Sequence, residues 1–151
     1  MQLHHYIGLL HKAQLDLAVA FREVAEGHAD EADVFHICNK LAKECDGHAE
    51  RLEPFTDRYG EDAPAEPDRL HSEIFDGRRE GPVGLLRDLQ DLYLMAAECD
   101  ITWTLVGQAA QGARDEELLE VVHDCEGETA VQMAWIRTRL KQTAPQALVV
   151  S

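Results

Sequence analysis

Apolar residues recur along this chain in alternating steps of three and four, in four separate segments. The first runs from about residue 2 to 28, with Leu3, Ile7, Leu10, Gln14, Leu17, Phe21 and Val24 on one line. The second, about 31–59, aligns Val34, Cys38, Leu41, Cys45, His48, Leu52, Phe55 and Tyr59. The third, about 83–112, aligns Leu85, Leu89, Leu92, Ala96, Cys99, Trp103, Val106 and Ala110. The fourth, about 115–143, aligns Leu119, Val122, Glu126, Thr129, Met133, Ile136 and Leu140. Such a line is one face of an α-helix, and this spacing is what the seams of helical bundles need. Helices of this size are roughly 40 Å long at 1.5 Å per residue.

The punctuation between segments sets their order in space. Residues 28–31 and 112–115 are short turns, so the first and second helices form one antiparallel hairpin and the third and fourth another. Gly60 and Gly112 supply C-terminal stops, and Pro82 suits a first helical position. Residues 61–81 hold prolines and glycines without helical periodicity, and "RLHSEIF" at 69–75 is the one place there for a short helical turn. At ~3.3 Å per residue this connection is long enough to run the length of the bundle. The expectation is an all-α fold in a single domain over residues 1–145: an antiparallel four-helix bundle of two hairpins joined by a long crossover. The tail 146–151, "QALVVS", reads as loosely ordered or as a docking strip.

Bulk composition narrows the partners. A chain of 151 residues that is 45% apolar suits one globular domain. A formal net charge of −15 argues against nucleic acid and anionic membrane, and favours cations or basic partners. No apolar run approaches the ~20 residues that span a bilayer. The N-terminal stretch lacks a basic region and an unbroken apolar core, and so reads as a helix rather than a signal peptide. Cys38, Cys45, Cys99 and Cys125 follow no CxxC or disulfide-scaffold spacing, which points to reduced thiols in the cytoplasm.

Chemistry concentrates at mid-helix. Acid-Cys-acid triplets occur at Glu44-Cys45-Asp46, Glu98-Cys99-Asp100 and Asp124-Cys125-Glu126, and Gly47 and Gly127 follow two of them. Counting from the short turns puts Gln14, Cys45, Cys99 and Cys125 or Glu126 in one central layer. If the crossover runs the bundle length, His11, His48 and His123 reach one level beside Trp103. If it merely turns at one end, His123 is displaced by on the order of 15 Å. Histidine and carboxylate three or four apart share a helix face, and imidazoles with carboxylates suit iron, manganese or zinc. Cys45, Cys99 and Cys125 with His48 would instead suit zinc or copper(I).

Two helical hairpins joined by a central crossover, with "ECDGHA" in the second helix echoed by "DCEGETA" in the fourth, resemble the ferritin-like superfamily. That family places a Glu on each of two helices and Glu-x-x-His on each of the other two. Here the second helix carries Glu44-x-x-x-His48, the fourth carries His123-x-x-Glu126, and the first has Gln14 with His11 and Glu23 nearby. The resemblance implies a transition metal at the midplane, held by His11, Glu44, His48, His123 and Glu126, with redox or peroxide-related activity.

Plainer roles compete with each of these. Free cysteine behaves as a small buried hydrophobe, and flanking acids raise a thiol's pKa. His4, His5, His28, His36 and His71 read as surface or cap residues. Gln14 and His48 occupy seam positions where Leu is expected, and each needs a hydrogen-bond partner; they suit one another and would set register. Three functions follow: a ferritin-like metal-binding bundle, a non-enzymatic dimerising or partner-docking bundle with a structural midplane, and a thiol-based metal buffer or redox sensor. Leu9, Leu94, Met95, Trp135 and Ile136 widen the apolar faces in a way that suits a homodimer. No phosphate loop, EF-hand loop or nucleophile elbow is present.

Overall fold

The computed structural model describes residues 1–60, 64–66, 70 and 73–150. The helices are α1 (Leu3–Gly27), α2 (Ala32–Gly60), α3 (Gly81–Gly112) and α4 (Glu116–Pro145), followed by a π-helical turn, Gln146–Val150. Among the described residues there is no strand, and no helix is long and apolar enough to cross a membrane. The expected turn at 69–75 falls partly on residues outside the described set; Leu70 and Glu73–Phe75, which are described, are not helical.

The seam residues of α1 are all buried, as are those of α2 up to Phe55 and those of α3. Ile7, Leu10, Leu17, Phe21, Leu52, Leu89, Leu92 and Trp103 have no exposed surface. Full burial of one such aliphatic or phenyl side chain contributes about 1.5–3 kcal/mol. Local signals set the ends. Pro82 opens α3, and Asp115 caps α4 by accepting from Leu118 N–H at 3.1 Å. Arg114 takes φ 56° in the tight α3–α4 turn, a left-handed conformation that non-glycine residues seldom adopt.

α4 is rotated from its expected line. Leu118, Val122, Cys125, Thr129, Gln132 and Ile136 are buried, whereas Leu119, Met133 and Leu140 are half-buried and Glu126 sits at the edge. Apolar residues occupy neighbouring positions 118/119 and 121/122, so two lines 100° apart compete. The contacts with α2 and α3 decide between them by bringing Gln132 inward and leaving the Glu126 carboxylate at the rim.

The crossover runs the length of the bundle. Near the α2 end the His5 ring bonds the Pro64 carbonyl, and Gly60 lies against His4. Ile74 and Phe75 then line a trough between α1 and α3, with Leu9, Ala13 and Met95. At the far end Arg78 lies against Gly27 and pairs with Glu26 at 3.3 Å. A Cβ on Gly27 would come within 2.6 Å of the Arg78 side chain, which would then have to shift. The two hairpins consequently pack with α1 against α3 and α2 antiparallel to α4. The latter register is visible in Arg139–Asp33, Gln132–Glu44, Arg51–Asp124 and Arg58–Asp115.

Candidate functional site

The central layer is polar. His48, 2% exposed, projects from α2 into the seam. Its Nδ1 lies 3.2 Å from Gln14 Oε1 on α1, and its Nε2 lies 3.4 Å from Glu128 Oε2 on α4. The Trp103 ring of α3 meets the imidazole edge-on at 6.0 Å between centroids. All four helices thus contribute to one cluster. One layer away, Gln132 donates to Glu44 Oε1 at 3.1 Å and lies 3.7 Å from Cys45 Sγ. In the repeat of "ECDGHA" by "DCEGETA", His48 and Glu128 occupy equivalent places, and these two meet.

The expected ligands do not converge. His48 and Glu44 face α4, but each is already engaged by a side chain there. His11 is half-buried and approaches Glu53 at 3.7 Å. His123 is exposed, because it follows inward-facing Val122 by 100° of helical rotation. Glu126 accepts from Thr104 at 2.7 Å on the α3 side. Among the described residues no group of three or more His, Cys, Asp and Glu side chains is placed to hold a metal ion. The donor set implied by the ferritin-like resemblance does not fit such a centre. The crossover path does bring His48 beside Trp103, but reaching the same depth is different from facing the same point.

The cysteines are all free and fully buried. Burial pushes the Cys38, Cys45 and Cys125 thiols up to about 12, and carries Cys99 well above its ordinary value. Near Cys45, the carboxylates Glu44 and Asp46 push in the same direction, while the Gln132 contact opposes them. Protonated thiols are poor metal ligands and nucleophiles at neutral pH. Their observed placement is that of core-filling groups.

Among the described residues Gly47 and Gly127 serve no close packing, since a Cβ on either meets nothing within 4 Å.

Comparison with family models, with curated proteins and with solved structures found no match.

Sequence reasoning missed Glu128 and Gln132 in the midplane; the repeat signalled the first, since it stands where His48 stands. It also missed a buried ionic clamp at the other end of α3. Asp88 and Asp91 are 0% and 1% exposed. Asp88 accepts from Arg79 N–H at 2.9 Å and from Arg79 Nη1 at 2.8 Å, and His28 Nε2 lies 2.9 Å from it. The same Nη1 reaches Asp91 at 2.9 Å, and Arg87 approaches Asp91 at 3.3 Å. His28, expected at a surface or cap, is the C-cap residue of α1 and is buried by this contact. Gly84, Asp88, Asp91 and Met95 form a second inward line on α3, toward the crossover. Its polar members hid it from a hydrophobic pattern. Gly84 leaves the space: a Cβ there would stand 3.0 Å from the Arg79 backbone.

Proposed function

We propose that this chain is a non-enzymatic docking module, a four-helix bundle whose polar midplane fixes helix register and whose α1–α3 face receives a protein partner. One contrast carries the reading. His48, Glu44 and Glu126 each engage a neighbouring side chain, while an apolar groove of about 520 Å³ stays open between the start of α1 and the end of α3. Leu3, Tyr6, Leu105, Val106 and Ala109 line it. Tyr6 is 37% exposed and Leu105 48% exposed. Grooves of this kind accept apolar side chains from an amphipathic helix or strand. The net charge of −15 favours a basic partner over a second copy of the chain, because like charges oppose self-association.

The test is site-specific photo-crosslinking from Leu105, with the exposed Gln108 outside the groove as control. A single defined adduct from Leu105 that is lost on Tyr6→Asp supports docking. An adduct with the mass of two chains would assign the groove to a homodimer. Equal, diffuse labelling from both positions would sink the docking reading. Elemental analysis of untagged protein, purified without chelator beside His48→Ala, separates this reading from the ferritin-like one. We expect no stoichiometric metal. Near-stoichiometric iron, manganese, zinc or copper that disappears in His48→Ala would restore a metal-binding bundle.

A further inference from the structure

The midplane holds a donor–acceptor mismatch that is independent of what docks on the outer face. Glu128 is half-exposed at its side chain, and as a carboxylate it can only accept. A proton on the His48 Nε2 facing it makes this contact a hydrogen bond. Neutral imidazole has a single N–H, so Nδ1 is then a lone pair that needs a donor. The neighbouring Gln14 presents Oε1 to that nitrogen, an acceptor facing an acceptor. Among the described residues its own Nε2 is buried without a partner, and so is Trp103 Nε1 of the same cluster. With Gln14 Oε1 toward Nδ1, and Nε2 facing Glu128, both contacts of the ring are hydrogen bonds in one state only, the imidazolium, in which both ring nitrogens donate.

A half-turn of the amide exchanges its oxygen and nitrogen without changing its volume. In that orientation Gln14 Nε2 donates to Nδ1 of neutral His48. Its carbonyl oxygen then takes the place of the unpaired nitrogen, an acceptor in the layer that holds the unpaired Trp103 N–H. An acceptor facing an acceptor, or a donor facing a donor, is what each protonation state avoids, and this selects the matched orientation.

We propose that Gln14 is a two-position amide that reads the charge of His48: nitrogen toward the neutral ring, oxygen toward the protonated ring. One proton taken up on Nδ1 turns one amide, and the α1–α2 link in the bundle changes from an amide-donated to an imidazole-donated hydrogen bond. The groups facing His48 from each element are few. Glu128 lies on α4, Glu44 and Arg51 lie on its own helix, and α1 and α3 present the uncharged Gln14 and Trp103. Burial holds the ring below the usual histidine range, with Glu128 and Glu44 pulling the other way and Arg51 adding to the depression. The neutral ring is accordingly the form present near pH 7.

The experiment is 15N NMR of the full chain from pH 8 to pH 4.5. In neutral His48 we expect the proton on Nε2 alone, with a coupling across the hydrogen bond between Gln14 Nε2 and His48 Nδ1. Both ring nitrogens should be protonated in acid, and the coupling should vanish at the same midpoint. Gln14→Leu removes a neutral bond from one state and a charge-assisted bond from the other. Since the charged one is worth roughly 1 kcal/mol more, the His48 midpoint should fall by about 0.7 of a pH unit, a fivefold loss of proton affinity. Gln14→Glu should raise the midpoint. A proton on Nδ1 in the neutral ring would overturn the proposal, as would a Gln14 amide whose resonances ignore the His48 titration. Those wild-type spectra decide the matter even if a variant does not fold.

Discussion

Arg79→Ala tests what holds the crossover in place. The Arg79 guanidinium bridges two carboxylates that water does not reach, at 2.8 Å to Asp88 and 2.9 Å to Asp91. Removing it deletes two charge-assisted bonds. Asp88 keeps the backbone N–H of residue 79 and its contact with His28, and Asp91 keeps Arg87 at 3.3 Å. Stripping one partner from a fully buried pair costs about 3–5 kcal/mol. The Arg79 side chain is 40% exposed and the acids retain other donors, so the expected loss is smaller, about 2–3 kcal/mol. The comparison is Lys12→Ala, which breaks an exposed i,i+4 pair with Asp16 that is worth roughly 0.3–0.5 kcal/mol. Urea unfolding measures both. With a slope near 2 kcal/mol per molar, Arg79→Ala should move the midpoint by about 1–1.5 M and Lys12→Ala by roughly 0.2 M. Amide exchange should also quicken over residues 73–80, because Arg79 fastens this end of the crossover. A loss within about 0.5 kcal/mol of wild type would refute the reasoning, showing that the two aspartates are stabilised by something other than this guanidinium.

Two further outcomes follow from the midplane. Gly47→Ala and Gly127→Ala should each stabilise the chain by about 0.5–1 kcal/mol in urea unfolding, because each removes a helix-interior glycine and the added methyl meets nothing; destabilisation by either would mean that this face is covered in solution. Burial depresses the His48 pKa relative to the unfolded chain, so the folded state binds fewer protons. The stability this represents is complete above the unfolded value of about 6.5 and is lost as pH falls through the folded value, at up to about 1.4 kcal/mol per pH unit. Wild type should therefore lose stability relative to His48→Leu between pH 7 and pH 5, and a relative gain over that window would contradict the burial argument.

By itself the sequence determined the four helices, the two hairpins and the polar character of the middle layer. Each depends on local terms: the three-four spacing that makes one face of a helix apolar, the glycine, proline and aspartate signals at the ends, and equal residue counts from short turns. The pairing of Gln14 with His48 was legible for the same reason, since both break a line of apolar residues at matched depth. Tertiary structure alone decided which way each side chain faces across the seam. His123 and Glu126 share the depth of the midplane, yet α4 turns them to its outer side and rim and brings Gln132 and Glu128 toward α2, because two apolar lines one position apart compete on that helix. The crossover path was likewise a tertiary decision. It rests on Arg79, Asp88, Asp91 and His28, polar and charged groups drawn from three parts of the chain, and contacts between such groups leave no periodicity in the sequence.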